Sequence, residues 1–302
     1  DQPRSRGLGD VYKRQVSVDQ GGEESLDQGL RLLIEKDSLG KDEKLMTKQD
    51  IPSGMSEKEY YETMADESAF LAWYKTQDLP KYETPSVTAD MVAYCFVEGQ
   101  IKLLVIKRKA HPYQNKYALV GGFVDKHEDA YQACIREVKE EVGLEIPLEK
   151  VEQLMTVSTP GRDPRGWVIT IAHLVYLPAI AVDQVQAGDD AKEVTFLDVD
   201  FKTRSFRDGE RILTAEDFAF DHYQILLESI KRIQGRLDWN PTFLHLLESP
   251  FTVYEGTELV NLITPRRPIV SNNFLVKFGE YLEEAGVKRV PKKKPRKVYK
   301  LK

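Results

Sequence analysis

Residues 121–144 read GGFVDKHEDAYQACIREVKEEVGL, and their spacing decides how the rest of the chain is read. After a glycine pair, Asp129 or His127 opens a helix that Gly143 closes. Tyr131, Ile135, Val138 and Val142 recur at spacings of four, three and four, which puts them in one apolar stripe. Glu137, Glu140 and Glu141 are three and four residues apart and share one narrow face, turned well away from that stripe. Carboxylates so close repel one another, and a hard divalent cation is what reconciles them. Oxygen-only ligands suit Mg2+ or Mn2+, and magnesium usually also takes phosphate oxygens. The glycines let the backbone approach a ligand closely, and Glu128 can join the acidic face through the loop ahead of the helix.

Outward from this helix the pattern changes to strands. Residues 87–99 (VTADMVAYCFVEG) are rich in β-branched and aromatic residues and end on Gly99, and 101–110 (IKLLVIKRKA) follow as a hairpin partner. A third strand, 116–124, runs into the glycine pair. Residues 151–160 and 166–180 are further strands around an RDPRG loop, and 192–199 form a short one. Strands on both sides of one central helix, without regular alternation, predict an α/β sandwich with a mixed sheet rather than a doubly wound fold.

The flanks differ in character. Residues 1–15 (DQPRSRGLGDVYKRQ) have no useful periodicity and resemble a cloning or assembly remnant, so fold reasoning leaves them out. Residues 16–80 read as a poorly ordered or partly helical extension, with a short helix at 26–37 and helical turns at 56–75 capped by Ser56. The compact domain spans 81–204, and 205–219 carry few signals and read as a linker. From residue 220 the pattern is helical: 220–237, then 249–263, then 272–286 with Gly286 as the stop, ahead of two short basic strands.

Charge is unevenly spread. The chain of 302 residues has a net charge of −6, yet nine bases and no acid lie between Lys288 and Lys302. A basic end on an acidic protein suits a polyanion, or else a solvated terminus. Cys95 and Cys134 sit in apolar patterns and read as buried thiols, which points to a reducing, cytoplasmic setting. No stretch has the apolar length of a membrane span.

The central stretch resembles the Nudix box, G-x5-E-x7-R-E-U-x-E-E-x-G-U with U aliphatic. Gly122, Glu128, Arg136, Glu137, Val138, Glu140, Glu141, Gly143 and Leu144 fill every defined position. Val120 stands where many relatives have proline, a change that removes no ligand. The resemblance implies a Nudix α/β/α sandwich and a magnesium-dependent hydrolase that cuts the pyrophosphate of a nucleoside-diphosphate compound. It makes Glu137 and Glu141 the main metal ligands, with Glu128, Glu140 and the Gly122 carbonyl assisting, and Arg136 the orienter of a glutamate. A carboxylate takes the proton of the attacking water, with Glu140 and Glu193 as candidates. Glu193 reads equally well as an exposed strand-edge acid.

The RDPRGW segment and Pro160 are similar to a Nudix subgroup acting on ADP-ribose or related nucleoside diphosphate sugars. Arg162 and Arg165 would then meet phosphate, or else form salt bridges, near Gly121 and Gly122. Trp167 is expected in the core rather than on adenine. Of Lys107 and Arg108, alternation turns only one inward, and Arg108 is the candidate.

The chain from about Tyr82 onward is similar to Nudix proteins with an appended winged helix (a small α+β domain), including Nudix-related transcriptional regulators of NAD metabolism. That likeness implies, as the alternative to hydrolysis or together with it, an ADP-ribose-sensing protein that binds double-stranded DNA, and a homodimer. Asn272, Asn273 and Lys277 would begin the recognition helix, and Lys293, Lys294 and Arg296 would meet phosphates.

Overall fold

The computed structural model describes residues 51–77, 83–185, 191–289 and 295–302. The expected remnant at 1–15 and the short helix at 26–37 lie outside the described residues. Among the described residues, no helix is long and apolar enough to cross a membrane. The chain divides into two compact units, residues 1–84 and 85–302.

In the first unit, the helical turns expected at 56–75 are two helices, α1 (Glu57–Thr63) and α2 (Glu67–Thr76). The Ser56 hydroxyl accepts from the Glu59 amide at 3.1 Å. Asp66 then starts a new helix by accepting from the Ala69 amide at 2.9 Å, which is how a short acid caps an N-terminus. The Tyr61 and Trp73 rings stack at 4.9 Å and tie the two helices together.

The second unit is built on a nine-stranded mixed sheet. Its strands are β1 (Ser86–Val97), β2 (Gln100–Arg108), β3 (Tyr117–Ala118), β4 (Val120–Phe123), β5 (Glu152–Val157), β6 (Val168–Leu177), β7 (Ala191–Asp200), β8 (Ser205–Asp208) and β9 (Arg211–Ile212). The order is β5-β6-β1-β2-β7-β8-β9, and only β1 and β6 run parallel among the pairs made by β1. The β1–β2 hairpin is paired from Val97↔Gln100 to Ala93↔Leu104, and beyond that the two strands part. Into the split come β3, paired with β2, and β4, paired with β1 through Asp90↔Gly121 and Ala89↔Gly122. The glycine pair therefore lies inside the sheet, at the point where it opens.

Alternation along β1 gives the sheet two apolar faces. Ala89, Met91, Ala93 and Cys95 face α3 (Ala130–Val142), which buries Ala133, Cys134, Val138 and Val142 against them. Val92 and Tyr94 face α5 (His222–Arg236), which buries Ile225, Leu226, Ile230 and Ile233. The Tyr94 hydroxyl and the Ser229 hydroxyl are 2.6 Å apart in this second layer, which satisfies two polar groups that burial would otherwise penalise. Both cysteines are free and buried, Cys95 on β1 and Cys134 on α3, in the layer between the helix and the sheet. A short helix, α4 (Ala181–Gln184), follows β6.

Residues 205–219 are not a linker. They form β8 and β9, and Phe206, Leu213 and Phe218 are buried in the layer that α5 covers. Their short strands and interspersed charges hide the pattern that longer strands show. For the same reason α5 is a wall of the sandwich rather than the first helix of the C-terminal domain.

That domain has a three-stranded sheet, β10 (Phe251–Thr252), β11 (Leu282–Lys288) and β12 (Arg296–Leu301), in the order β10-β12-β11. Between β10 and β11 come α6 (Val253–Ile263) and α7 (Ser271–Phe278). Gly286 does not stop a helix. The helix ends at Phe278, and Gly286 sits at a bulge of β11 with φ 112°, a conformation open to glycine. Leu282 is drawn into the core beside Phe278, and strand pairing with β12 takes the segment from there.

Candidate active site

The glycine pair is required by contact. Gly121 has φ 155°, and a side-chain carbon there would lie 2.2 Å from the Ala89 carbonyl oxygen and 2.8 Å from Asp90 Oδ1. At Gly122 it would lie 2.3 Å from Glu137 Oε1, so the Glu137 carboxylate occupies the space that a side chain would fill. One turn further along α3, Glu141 Oε2 accepts from the Gly121 amide at 3.1 Å. Two carboxylates of one helix thus close on one glycine pair.

Local chemistry fixes that helix. Asp129, not His127, is the cap: it accepts from the Gln132 amide at 2.9 Å, and Gln132 Oε1 accepts from the Asp129 amide at 3.0 Å. Gly143 ends the helix in the left-handed region at φ 73°.

Arg136 stands at the centre of the acids. Its Nη2 and Nε donate to Glu128 at 2.6 and 3.0 Å, its Nη1 to Glu137 at 2.7 Å and to Glu140 at 3.3 Å, and Nη2 also to the Phe123 carbonyl at 3.0 Å. The bidentate bond from Arg136 holds the Glu128 carboxyl below the usual carboxylate range. Burial pushes Glu137 above it, and outweighs the contact with Arg136. The Glu140 side chain is 49% exposed and reaches the group only through Arg136. The expected face of three converging acids is therefore uneven, and among the described residues no three acid, His or Cys side chains form a ready-made metal cluster. The donors still fit a hard divalent ion: Glu137 and Glu141 bring oxygen ligands to the same backbone, and glycine leaves that backbone uncovered.

Two of the expected phosphate-binding arginines are tied to acids. Arg162 is buried and donates to both oxygens of Asp221, Nη2 at 2.6 Å and Nε at 2.9 Å. Arg165 donates Nη2 at 2.7 Å and Nε at 3.0 Å to Asp163. The salt-bridge alternative thus holds for Arg162, which burial confines to a structural place. Arg108 lies on the α3 side, with Nε donating to the Pro112 carbonyl at 2.7 Å, while Lys107 points to the other face and approaches Glu193 at 3.5 Å. Glu193 shares the face of Leu197 and Val199, opposite to the one α3 covers, which removes it from the acids of the helix. Trp167 is a further correction. It precedes β6 and is 52% exposed, because the buried run starts only at Val168.

Sequence reasoning missed the partners in the segment 218–222. Asp221 holds Arg162, and the His222 ring accepts the Leu119 amide at Nδ1 (3.0 Å), exactly where the chain crosses from β3 to β4 and that amide has no ladder partner. Burial lowers the His222 pKa. No local signal finds such pairs, since the partners are 59 and 103 residues apart.

In the C-terminal domain Asn272 and Asn273 are exposed in the first turn of α7, and neither caps it, since Val270 is the cap and no side chain bonds there. Lys277 is paired with Asp238 at 2.6 Å. Arg296 lies over the Tyr254 ring at 5.8 Å. Lys293 and Lys294 lie outside the described residues.

Comparison with known proteins places these features in context. Residues 87–212 match the NUDIX domain model. The chain is 31% identical over 201 residues to the ADPR responsive transcriptional repressor NtrR of Acinetobacter baylyi, covering 66% of this chain and 72% of that protein. It is 41% identical over 143 residues to the ADP-ribose pyrophosphatase of Methanocaldococcus jannaschii, covering 46% of this chain and 79% of that protein. Among solved structures, a MutT/nudix family protein from Enterococcus faecalis superposes with a TM-score of 0.71 at 35% identity, covering 83% of this chain and 100% of the other. The Shewanella oneidensis NrtR bound to a 27mer DNA superposes with a TM-score of 0.59 at 26% identity, covering 72% and 93%.

Proposed function

This chain belongs to the Nudix family of hydrolases, and from that premise we propose that it hydrolyses ADP-ribose or a related nucleoside diphosphate sugar with Mg2+ or Mn2+. The observation that carries the reading is the closure of Glu137 and Glu141 on Gly121 and Gly122, within a box whose every defined position is filled. Glu137, Glu141 and the Gly122 carbonyl would hold the ion, with Glu128 and Glu140 beside them. A bound divalent ion would supply charge neutralisation at the diphosphate and a lowered pKa for the attacking water.

The chain's own residues do the rest. Arg136 keeps the glutamates apart and aimed. Glu140, the most exposed acid of the group, would accept the proton of the water. Arg108 and Arg165 lie on the α3 side of the sheet, where their guanidinium forks suit phosphate oxygens.

The test is release of AMP from ADP-ribose, with and without Mg2+, by the wild type and by Glu141→Gln. Glu141→Gln removes most turnover and leaves the fold intact. Full activity in that variant would overturn the assignment.

A second reading is favoured by the C-terminal domain. The order β10, α6, α7, β11, β12 is that of a winged helix, and residues 241–302 carry twelve bases against six acids. Such a domain suits double-stranded DNA, and the relatives named a transcriptional repressor and a DNA-bound regulator point the same way. We propose that α7 presents Asn272 and Asn273 to base edges, while Arg296, Lys293 and Lys294 meet phosphates. Hydrolysis and DNA binding are compatible in one chain. Salt-dependent retardation of the DNA upstream of its own gene tests the second function, and binding that ignores salt and sequence would count against it. The expected homodimer is tested by light scattering.

A further inference from the structure

Phe220 lies in the stretch that neither the family model nor the sequence motifs cover, yet it touches the site on three sides. The Arg108 guanidinium is 5.2 Å from its ring centroid and that of Arg165 is 5.5 Å away. Tyr113 meets it edge-on at 4.9 Å. Arg165 also lies 5.3 Å from the ring of Phe123, the residue directly after the glycine pair, whose carbonyl accepts from Arg136. One aromatic ring therefore serves two cations, and a second ring connects one of them to the box.

The backbone shows that the position is imposed. Phe220 has φ 53°, the left-handed region that bulky residues avoid. Its neighbours hold it there: the Ala219 amide donates to the Tyr117 carbonyl at 2.8 Å, Asp221 binds Arg162, and His222 binds the Leu119 amide. In this conformation the ring lies against the two arginines.

We infer that Phe220 is a positioning residue of the substrate site, an aromatic platform that holds Arg108 and Arg165 together to read an anionic diphosphate. Two guanidinium groups repel when brought to one place. The negative face of a ring lowers that cost and keeps both forks oriented. Arg165 spends Nε and Nη2 on Asp163, so Nη1 is the nitrogen that would meet a ligand. The inference rests on the diphosphate reading above.

The test compares wild type, Phe220→Leu and Phe220→Tyr on ADP-ribose with Mg2+. Phe220→Leu raises KM about ten-fold and leaves kcat within about two-fold, as loss of uniform binding does. Phe220→Tyr, which keeps the ring, restores KM. In an Arg165→Met background the effect of Phe220→Leu shrinks, because one of its two cations is already gone. If Phe220→Leu does not fold, Phe220→Met, which fills the volume without a ring, replaces it. An unchanged KM in an active, folded ringless variant, a failure of Phe220→Tyr to rescue, or full additivity with Arg165→Met overturns the inference. No turnover by the wild type on ADP-ribose, NADH or diadenosine polyphosphates would instead sink the diphosphate reading, and the inference with it.

Discussion

Arg136 reconciles acids that would otherwise repel, and its geometry decides what a substitution does. It bonds Glu128 through two nitrogens and reaches Glu137 and Glu140 with a third. Lysine keeps the charge but has no planar fork. Arg136→Lys therefore lowers activity by about 10–100-fold, the usual effect of disturbing groups that orient metal ligands. Steady-state kinetics across a Mg2+ titration checks this, and a variant with wild-type metal dependence would argue that Arg136 merely neutralises. His222 makes a different prediction. Burial lowers its pKa in the folded chain below the ordinary value of 6.5, and its Nδ1 must stay unprotonated to accept the Leu119 amide. The unfolded chain then binds the extra proton, so stability is present above pH 6.5 and is lost as pH falls through that value. The loss is at most about 1.4 kcal/mol per pH unit for one such group. His173 and His245 are lowered by burial too and add to the same limb. Urea unfolding between pH 7.5 and 5 should show a shallower acid limb for His222→Asn than for wild type. Identical limbs would assign the effect to the other histidines.

At the scale of elements, what was legible depended on periodicity and local chemistry. α3 declared itself through an apolar stripe, a cap and a terminal glycine, and the motif positions came with it. The long strands were equally plain, because β1 is rich in β-branched and aromatic residues and β2 carries the apolar run LLVI. β8 and β9 were not, since four- and two-residue strands offer no period to count. Gly286 misled for a related reason: a glycine after a helical pattern is read as a stop, while its bulge depends on pairing with β12, which lies further along the chain. The acids of the box share one helix and were legible as a cluster, but the contacts of Phe220, Asp221 and His222 were not, because their partners are set by tertiary contact. Gly256 shows the same limit within α6. A side-chain carbon there would meet the Phe274 ring at 2.3 Å, and that ring is fully buried against Phe278. Gly256→Ala gains helix propensity but forces a packed ring to move, and overpacking wins by about 1–3 kcal/mol. Its midpoint of thermal unfolding should fall, and a rise would show that the α6–α7 contact is looser than drawn.

For the molecule as a whole, the C-terminal half of residues 85–302 completes the sheet before it becomes a domain of its own. α5 covers one face of the sandwich, and the same apolar cluster continues through Phe243, Leu244 and Leu246 to Leu259, Phe274 and Phe278. Gln234 Nε2 donates to the Phe201 carbonyl at 3.0 Å and to the Ile263 carbonyl at 2.9 Å, so one side chain of α5 joins the large sheet to α6. Arg236 adds an ion pair to Glu152 on β5. A fragment ending at residue 204, where sequence composition suggests a boundary, would leave Val92, Tyr94, Leu174 and Leu197 facing water. Burial of each such side chain is worth roughly 1.5–3 kcal/mol, so the loss from these four is of the same order as the 5–15 kcal/mol by which a domain is normally stable. Residues 85–204 should therefore fail to show a cooperative unfolding transition, whereas 85–248, which keeps α5 and the turn that follows it, should unfold cooperatively and retain the candidate site at Gly121 and Gly122. Near-ultraviolet circular dichroism and calorimetry on the two fragments decide the matter. A folded, active 85–204 would mean that the second layer is dispensable, and that the structural link between catalytic sheet and DNA-binding-like domain is weaker than their shared core implies.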